Sequence, residues 1–296
     1  MYDLIIVGGG IAGITAAIYA ARKEMKFAII SPEFGGEIVN TTDVENWPGI
    51  KSISGKELAD SYLDHMKSLS VEVIEDKVID VKHKNYFIIT TGNSVYESKT
   101  LIWATGSKYR ELNIPGEEKL KGRGVTYCSI CDGPIFKNRT VAVIGAGNVG
   151  LTAAIYMSNI ATKVYLIESS EKINGDPILA GRLKFQNNVE IMTGVKLESI
   201  NGERRVASIT LDGGREIQLD GVLINIGYKP VTDLIKNIVQ INHYGYVEVD
   251  SKNMTTTPGL FAAGDVVFNP YKQLVISASD GAIAALGAYD YLSMQK

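Results

Sequence analysis

The two cysteines of the chain, Cys128 and Cys131, are two residues apart in Cys128-Ser129-Ile130-Cys131. Thiols at that spacing can close an accessible disulfide. With one thiolate stabilised by a helix start, they can exchange electrons with the disulfide of another protein. A structural disulfide here would close only a tiny loop, and the chain reads as cytoplasmic, a reducing compartment. A zinc site needs a second ligand pair, and the three histidines, His65, His83 and His243, are scattered without ligand spacing. Asp132 follows Cys131 directly. With no histidine near in sequence, this carboxyl is the candidate for general acid–base work on a thiolate, a role that needs burial to raise its pKa. Its plainer role is a turn-forming Asp before Gly133.

A second chemistry appears twice. The apolar run Leu4 to Val7 leads into Gly8-Gly9-Gly10-Ile11-Ala12-Gly13, a helical pattern through Arg22 and a second apolar run, Phe27 to Ile30. Val141 to Ile144 leads likewise into Gly145-Ala146-Gly147-Asn148-Val149-Gly150, a helix and the strand Val164 to Ile167. The offset is 137 (145 − 8), and the pentapeptide TAAIY recurs at that offset, as Thr15–Tyr19 and Thr152–Tyr156. A whole βαβ unit is duplicated. A lone GxGxxG is weak evidence, because Gly-rich turns without ligands are common. Here each copy follows a strand and opens a helix, as dinucleotide binding requires. The first Gly makes the turn, the second lets backbone approach a pyrophosphate, and the third lets helix pack on strand. The helix start offers free N–H groups to the diphosphate.

The elements that position these motifs follow from alternation and turn residues. Short strands are expected at Val71–Ile74, Val78–His83, Tyr86–Thr90 and Thr100–Trp103, with turns at Lys84-Asn85 and Gly92-Asn93. A similar set, Val189–Met192, Lys196–Ile200, Val206–Leu211, Glu216–Leu219 and Val222–Gly227, follows the second Gly-rich unit. Asn201-Gly202 reads as a two-residue hairpin turn, and Asp212-Gly213-Gly214 as another turn. A late strand ends in Gly264-Asp265, before an Ala-rich helix from about Gln273 to Leu292. The 296 residues suit two domains at about 150 residues each. With 30 Lys plus Arg against 33 Asp plus Glu, neither sign dominates, which argues against a polybasic nucleic-acid binder and an acidic tail. No apolar run reaches the 18 or so residues of a membrane helix, and MYDLIIVGGG has no basic leader, so neither a membrane span nor a signal peptide is expected.

Six motifs in order carry a family resemblance: the first GxGxxG, Glu45-Asn46-Trp47-Pro48-Gly49, Ala104-Thr105-Gly106, Cys128–Gly133 (CSICDG), the second GxGxxG and Ala262-Ala263-Gly264-Asp265. Together they resemble the low-molecular-weight thioredoxin reductases, which are FAD-dependent pyridine nucleotide-disulphide oxidoreductases. The resemblance spans nearly the whole chain. It implies an α/β fold of two Rossmann-like, three-layer domains. A nucleotide and dithiol domain, 114–242, would be inserted into a discontinuous FAD domain, 1–113 plus 243–296. It implies a homodimer, and an inserted domain that rotates between flavin reduction and dithiol reduction. Gly8, Gly10, Ile11, Ala12 and Gly13 would face the FAD pyrophosphate, and Glu33 or Ser31 would be the acid or hydroxyl ending the second strand. Gly35-Gly36-Glu37 stands where the family usually has GGQ. Asn46 would lie near the flavin, Ala104, Thr105 and Gly106 beside the cofactor, and Gly264-Asp265 at the ribityl and phosphate region. Lys272, where Arg is more usual, with Gln273 and Leu274, would begin the helix aimed at the flavin ring. Cys131 would face the flavin and Cys128 attack a partner such as thioredoxin.

The electron donor is where the chain departs from the family. The NADPH users' basic HRRxxxR signature is Glu168-Ser169-Ser170-Glu171-Lys172-Ile173-Asn174 here, so each Arg that would clamp a 2′-phosphate is absent. Glu168 lies 23 residues after Gly145 (168 − 145), where an acid accepts from a ribose 2′-OH. That favours NADH over NADPH, bound by Gly145, Gly147, Asn148, Val149, Gly150 and Glu168. The family's Glu pair that helps place the nicotinamide is Thr152-Ala153 here, which leaves a non-nicotinamide carrier such as ferredoxin as the other donor. The competing functions are an NADH:flavin oxidase or peroxiredoxin-system reductase, and a non-catalytic flavoprotein that senses redox state.

Overall fold

The structure is a computed structural model, and it describes residues 1–41 and 44–295. The chain forms two compact units, 1–108 with 229–296, and 109–228.

The first unit is built on a seven-stranded sheet in the order Glu72–Ile74, Phe27–Phe34, Tyr2–Gly9, Val95–Trp103, Phe87–Thr91 and Val78–His83, with Leu260–Ala262 also paired to Val95–Trp103. Leu4, Ile5 and Ile6 are fully buried, as expected of a central parallel strand covered on both faces. Val95–Trp103 starts five residues before the expected Thr100 because it serves two ladders. Its first half pairs antiparallel with Phe87–Thr91. Its second half runs parallel to Tyr2–Gly9 and Leu260–Ala262. Helices Ile11–Arg22 and Leu274–Ser293 cover one face, with Ile14, Ala16, Ala284 and Ala288 in the shared core. Their approach is close, since a Cβ on Gly281 would stand 2.1 Å from Ala12 O. Ile235, Val247 and Val266 fill the other face.

The second unit has a parallel sheet in the order Val189–Thr193, Lys163–Glu168, Thr140–Ile144, Gly221–Ile224, Val125–Thr126. Helix Asn148–Ser158 packs one face through Leu151, Ala154 and Met157. A separate antiparallel sheet, Leu197–Asn201, Ser208–Leu211 and Glu216–Gln218, packs the other through Ile200, Ile209, Leu211 and Ile217. The strand order reverses beside Thr140–Ile144, the crevice position where α/β sheets bind ligands.

Both Rossmann-like folds thus form around the duplicated βαβ units. One turn differs from expectation. Asn201-Gly202 does not make a two-residue hairpin: the partner strand starts only at Ser208, and Ala207 N–H reaches back to Asn201 O at 2.9 Å, closing a longer loop. The units also divide at 108/109 and 228/229 rather than 113/114 and 242/243. Residues 229–242 group with the first unit because Ile235 is fully buried in its core, and Val231 O accepts from Trp103 Nε1 at 2.8 Å and Thr105 Oγ1 at 2.9 Å. At the other crossing, Tyr109 stacks on Tyr127 at 5.0 Å within the second unit.

Candidate redox and nucleotide sites

The disulfide Cys128–Cys131 is formed, with Cα atoms 5.3 Å apart. Cys128 caps the short helix Ser129–Asp132, its Sγ accepting from Cys131 N–H at 3.2 Å. Both cysteines are half-buried, while Ile130 and Ile135 beside them are exposed. Gly133 seats this turn on helix Asn148–Ser158, because a Cβ there would stand 2.6 Å from the Tyr156 ring. The Asp132 carboxylate accepts from Thr126 Oγ1, and the same Thr126 oxygen accepts from Cys128 N–H at 3.2 Å. Thr126 thus links the candidate acid to the backbone of the first cysteine. The sequence reading passed over it, although a hydroxyl two residues before a cap position is a recognisable local hydrogen-bonding signal.

In the first unit the Gly-rich turn has the geometry its spacing implies. Gly8 adopts φ +121°, and a Cβ there would stand 2.2 Å from Ala104 O. Gly13 lies beneath it, its own hypothetical Cβ 1.9 Å from Gly8 O. Around Gly10 the space is open, with only Gly36 Cα at 3.8 Å, and Gly35 N–H binds Gly9 O at 2.8 Å. The Gly35-Gly36-Glu37 stretch is therefore brought to the turn, with Glu37 exposed on the 3-10 turn Gly36–Asn40. Ile11 is buried at the helix start. Ser31 turns inward and donates to Glu33 O. Glu33 is exposed instead and lines a cavity of about 420 Å³ with Pro32, Phe34, Leu63, Met66 and Lys67. Thr105 spends its hydroxyl on Val231 O, Ala104 N–H donates to Val7 O at 2.7 Å, and Gly106 O accepts from Val231 N–H at 3.0 Å, so this stretch is fixed at the end of its strand.

The remaining residues expected on the flavin side converge on the start of helix Leu274–Ser293. Asn46 Nδ2 donates to Gln273 Oε1 at 3.2 Å across 227 residues of sequence. Lys272 Nζ donates to Asp265 O at 3.1 Å and Val267 O at 2.9 Å and lies 4.2 Å above the Tyr246 ring. Burial pushes the Lys272 pKa down against the pull of Asp265 and Asp280. Burial likewise pushes the Asp265 carboxyl up, opposed by Lys272 and by the hydroxyl of Ser277. Asp280, which the sequence reading did not single out, accepts from Gly264 N–H at 3.3 Å. Burial raises its pKa too, against the hydrogen bonds of Gly264 and Asn253.

The second Gly-rich turn repeats the first. Gly145 has φ +99° and a hypothetical Cβ 2.7 Å from Asn225 O, Gly150 packs 1.8 Å from Gly145 O in the same sense, and Gly147 has nothing within 4 Å. That open backbone at a helix start fits a pyrophosphate at either turn. Glu168 is buried at the end of its strand. Its Oε2 accepts from Ala146 N–H at 2.7 Å, and its Oε1 from Ser170 N–H and Oγ at 2.9 Å each. Burial alone would raise this carboxyl, but the bonds from Ser170 and Ala146 outweigh it and hold the pKa below the ordinary glutamate range. Asn148 Oδ1 accepts from Asp176 N–H at 2.7 Å, so this side chain tethers the following loop, whereas Val149 is exposed. Thr152 returns its hydroxyl to Asn148 O, and Ala153 is a core residue.

The family model for pyridine nucleotide-disulphide oxidoreductases matches residues 2–282, and the chain belongs to that FAD-dependent family. An alkyl hydroperoxide reductase subunit, that of Pseudomonas putida, is 38% identical over 98% of this chain. A protein named NADH dehydrogenase, of Bacillus subtilis (strain 168), is 39% identical, again over 98%. The chain spans 58% of the length of each of these two relatives. Among solved structures, thioredoxin reductase from Streptococcus pyogenes superposes with a TM-score of 0.93 at 36% identity, covering 99% of both chains. Among the described residues no helix is long and apolar enough to cross a membrane, and no cluster of His, Cys, Asp or Glu could hold a metal.

Proposed function

We propose that this protein is a disulphide reductase that passes electron pairs from NADH, by way of FAD, to Cys128–Cys131 and on to thioredoxin or a similar small redox protein. The observation that carries the reading is the half-buried Cys128–Cys131 disulfide on a helix start, with Asp132 tied through Thr126 to the Cys128 backbone. Bound in the first unit along Gly8–Gly13, Glu33, Asn46, Ala104–Gly106 and Gly264–Leu274, FAD would accept a hydride and return two electrons.

The chain's own residues account for the rest. Two electrons and two protons convert the disulfide to the Cys128 and Cys131 thiols, one proton passing through the Asp132 carboxyl. The Cys128 thiolate then attacks a partner's disulfide, forming a mixed disulfide and releasing the partner's other sulfur as a thiolate. Attack by the Cys131 thiolate on Cys128 Sγ closes Cys128–Cys131 again and frees the second partner sulfur. Turnover in this scheme requires the rotation of the inserted domain that the family resemblance implies, a microsecond-to-millisecond motion.

Support for NADH comes from Glu168 at the end of its strand and from the missing arginines of the 169–174 loop. A 2′-phosphate would face a carboxylate there, while a ribose hydroxyl could share it. The kinship with alkyl hydroperoxide reductase favours a second reading of the acceptor, as a member of a peroxiredoxin system. Cys128→Ser separates both from a flavin oxidase. The variant keeps donor-dependent flavin reduction and loses thioredoxin reduction, whereas undiminished thioredoxin turnover would remove Cys128 from the pathway.

A further inference from the structure

Three buried side-chain atoms lack a hydrogen-bond partner among the described residues: the hydroxyls of Tyr62 and Ser107, and Nδ2 of Asn225. A hydroxyl offers one donor that turns freely about its C–O bond, whereas an Asn amide carries two N–H donors on one planar group, a larger polar surface to leave buried. Asn225 is only 6% exposed. Leaving an amide donor buried and unpaired is unfavourable, so the position calls for a reason.

The duplication sharpens the question. In the first unit the residue facing the first glycine of the GxGxxG turn, through its carbonyl, is Ala104, and in the second unit it is Asn225. The turn needs only the carbonyl, since alanine suffices in the first copy. The amide of Asn225 is an addition to the architecture.

Its place in the sheet indicates what it would meet. Asn225 N–H donates to Ile144 O at 2.8 Å, so the ladder between Gly221–Ile224 and Thr140–Ile144 runs on through it. Along that strand Val222 and Ile224 pack against the antiparallel sheet, and Leu223 against helix Asn148–Ser158. Alternation puts Asn225 on the helix side with Leu223. It therefore stands at the carboxyl end of the sheet beside the start of that helix. Thr140–Ile144 separates it from Glu168, which ends the strand on the other side. A dinucleotide at such a switch point spans the crevice, its adenosine ribose at the acid and its other half across the central strand.

We propose that Asn225 binds the nicotinamide half of the donor nucleotide, its amide hydrogen-bonding the carboxamide or the adjoining ribose. The proposal rests on the nucleotide reading above. It makes Asn225 a binding residue that replaces part of the placement lost with the glutamate pair at Thr152-Ala153.

The test is calorimetric titration of the FAD-loaded protein with NAD⁺ and, separately, with ADP-ribose, which lacks the nicotinamide. In Asn225→Ala, NAD⁺ should bind about tenfold more weakly and ADP-ribose as in the wild type. Unchanged NAD⁺ affinity, or equal weakening of both ligands, would overturn the proposal and leave Asn225 a structural residue. Alanine matches Ala104, and if that variant nonetheless fails to fold, Asn225→Ser is read by the same ratio. A wild-type protein that binds neither ligand overturns the nucleotide reading and this proposal together. One that binds ADP-ribose but gives no difference at Asn225 overturns this proposal alone.

Discussion

Ala146 N–H donates to the Glu168 carboxylate at 2.7 Å, which fastens the second Gly-rich turn to the end of the neighbouring strand. Ser170 supplies two more donors to the same group. The carboxylate is thus a structural clamp within its unit. Because its folded pKa lies below the ordinary value, its contribution is complete above the unfolded glutamate pKa. That contribution is lost as pH falls through the lower folded value.

Glu168→Gln therefore has a pH-dependent cost. At neutral pH a Gln amide must point a donor at one of the N–H groups now bound, and the variant should lose about 1–3 kcal/mol in denaturant unfolding. The difference from wild type should shrink as pH falls through the depressed carboxyl pKa. A gap that stays constant from neutral to acid pH would mean that Glu168 contributes through packing and not through its charge.

Thr126 is predicted to govern the thiol chemistry without touching substrate. Thr126→Val keeps the shape and removes both hydrogen bonds, to Asp132 and from Cys128 N–H. Dithiol–disulfide exchange with thioredoxin should slow about tenfold, the scale of one lost hydrogen bond, and its pH profile should shift. Thr126→Ser should restore both. An unchanged pH profile in Thr126→Val would confine the residue to a structural role.

Gly133→Ala tests how the dithiol turn is seated. The new methyl would meet the Tyr156 ring at 2.6 Å, and overpacking of this kind costs about 1–3 kcal/mol. The melting temperature should fall, with a further drop in exchange rate as Cys128 and Cys131 shift. Wild-type stability would show that the ring moves aside freely.

Much of this architecture is legible in the sequence, for physical reasons that differ by element. The runs Leu4–Val7 and Val141–Ile144 are apolar throughout because both lie at the centre of parallel sheets, and each Gly-rich turn follows from close backbone contacts that exclude side chains. The late convergence of Asn46 with Gln273 was accessible only through the family resemblance, since nothing local relates residues so far apart. Residues whose role depends on three-dimensional neighbours stayed hidden. Thr126 looks like an ordinary strand residue until its hydroxyl is seen between Asp132 and Cys128. Asn225 looks like the end of the apolar strand Val222–Gly227, and only its unpaired amide distinguishes it from Ala104. Asn201-Gly202 misled because the dipeptide is read locally, whereas the pairing of Asn201 with Ser208 fixed a longer loop.

The most direct measurement is an anaerobic titration of the flavin-loaded protein with NADH, following flavin absorbance and then counting free thiols. The account predicts uptake of two NADH per FAD, four electrons in all, that yield two new thiols, at Cys128 and Cys131, and bleach the flavin within seconds. A flavin that stays oxidised in excess NADH, yet bleaches with dithionite, would contradict it and direct the search to a protein donor such as ferredoxin.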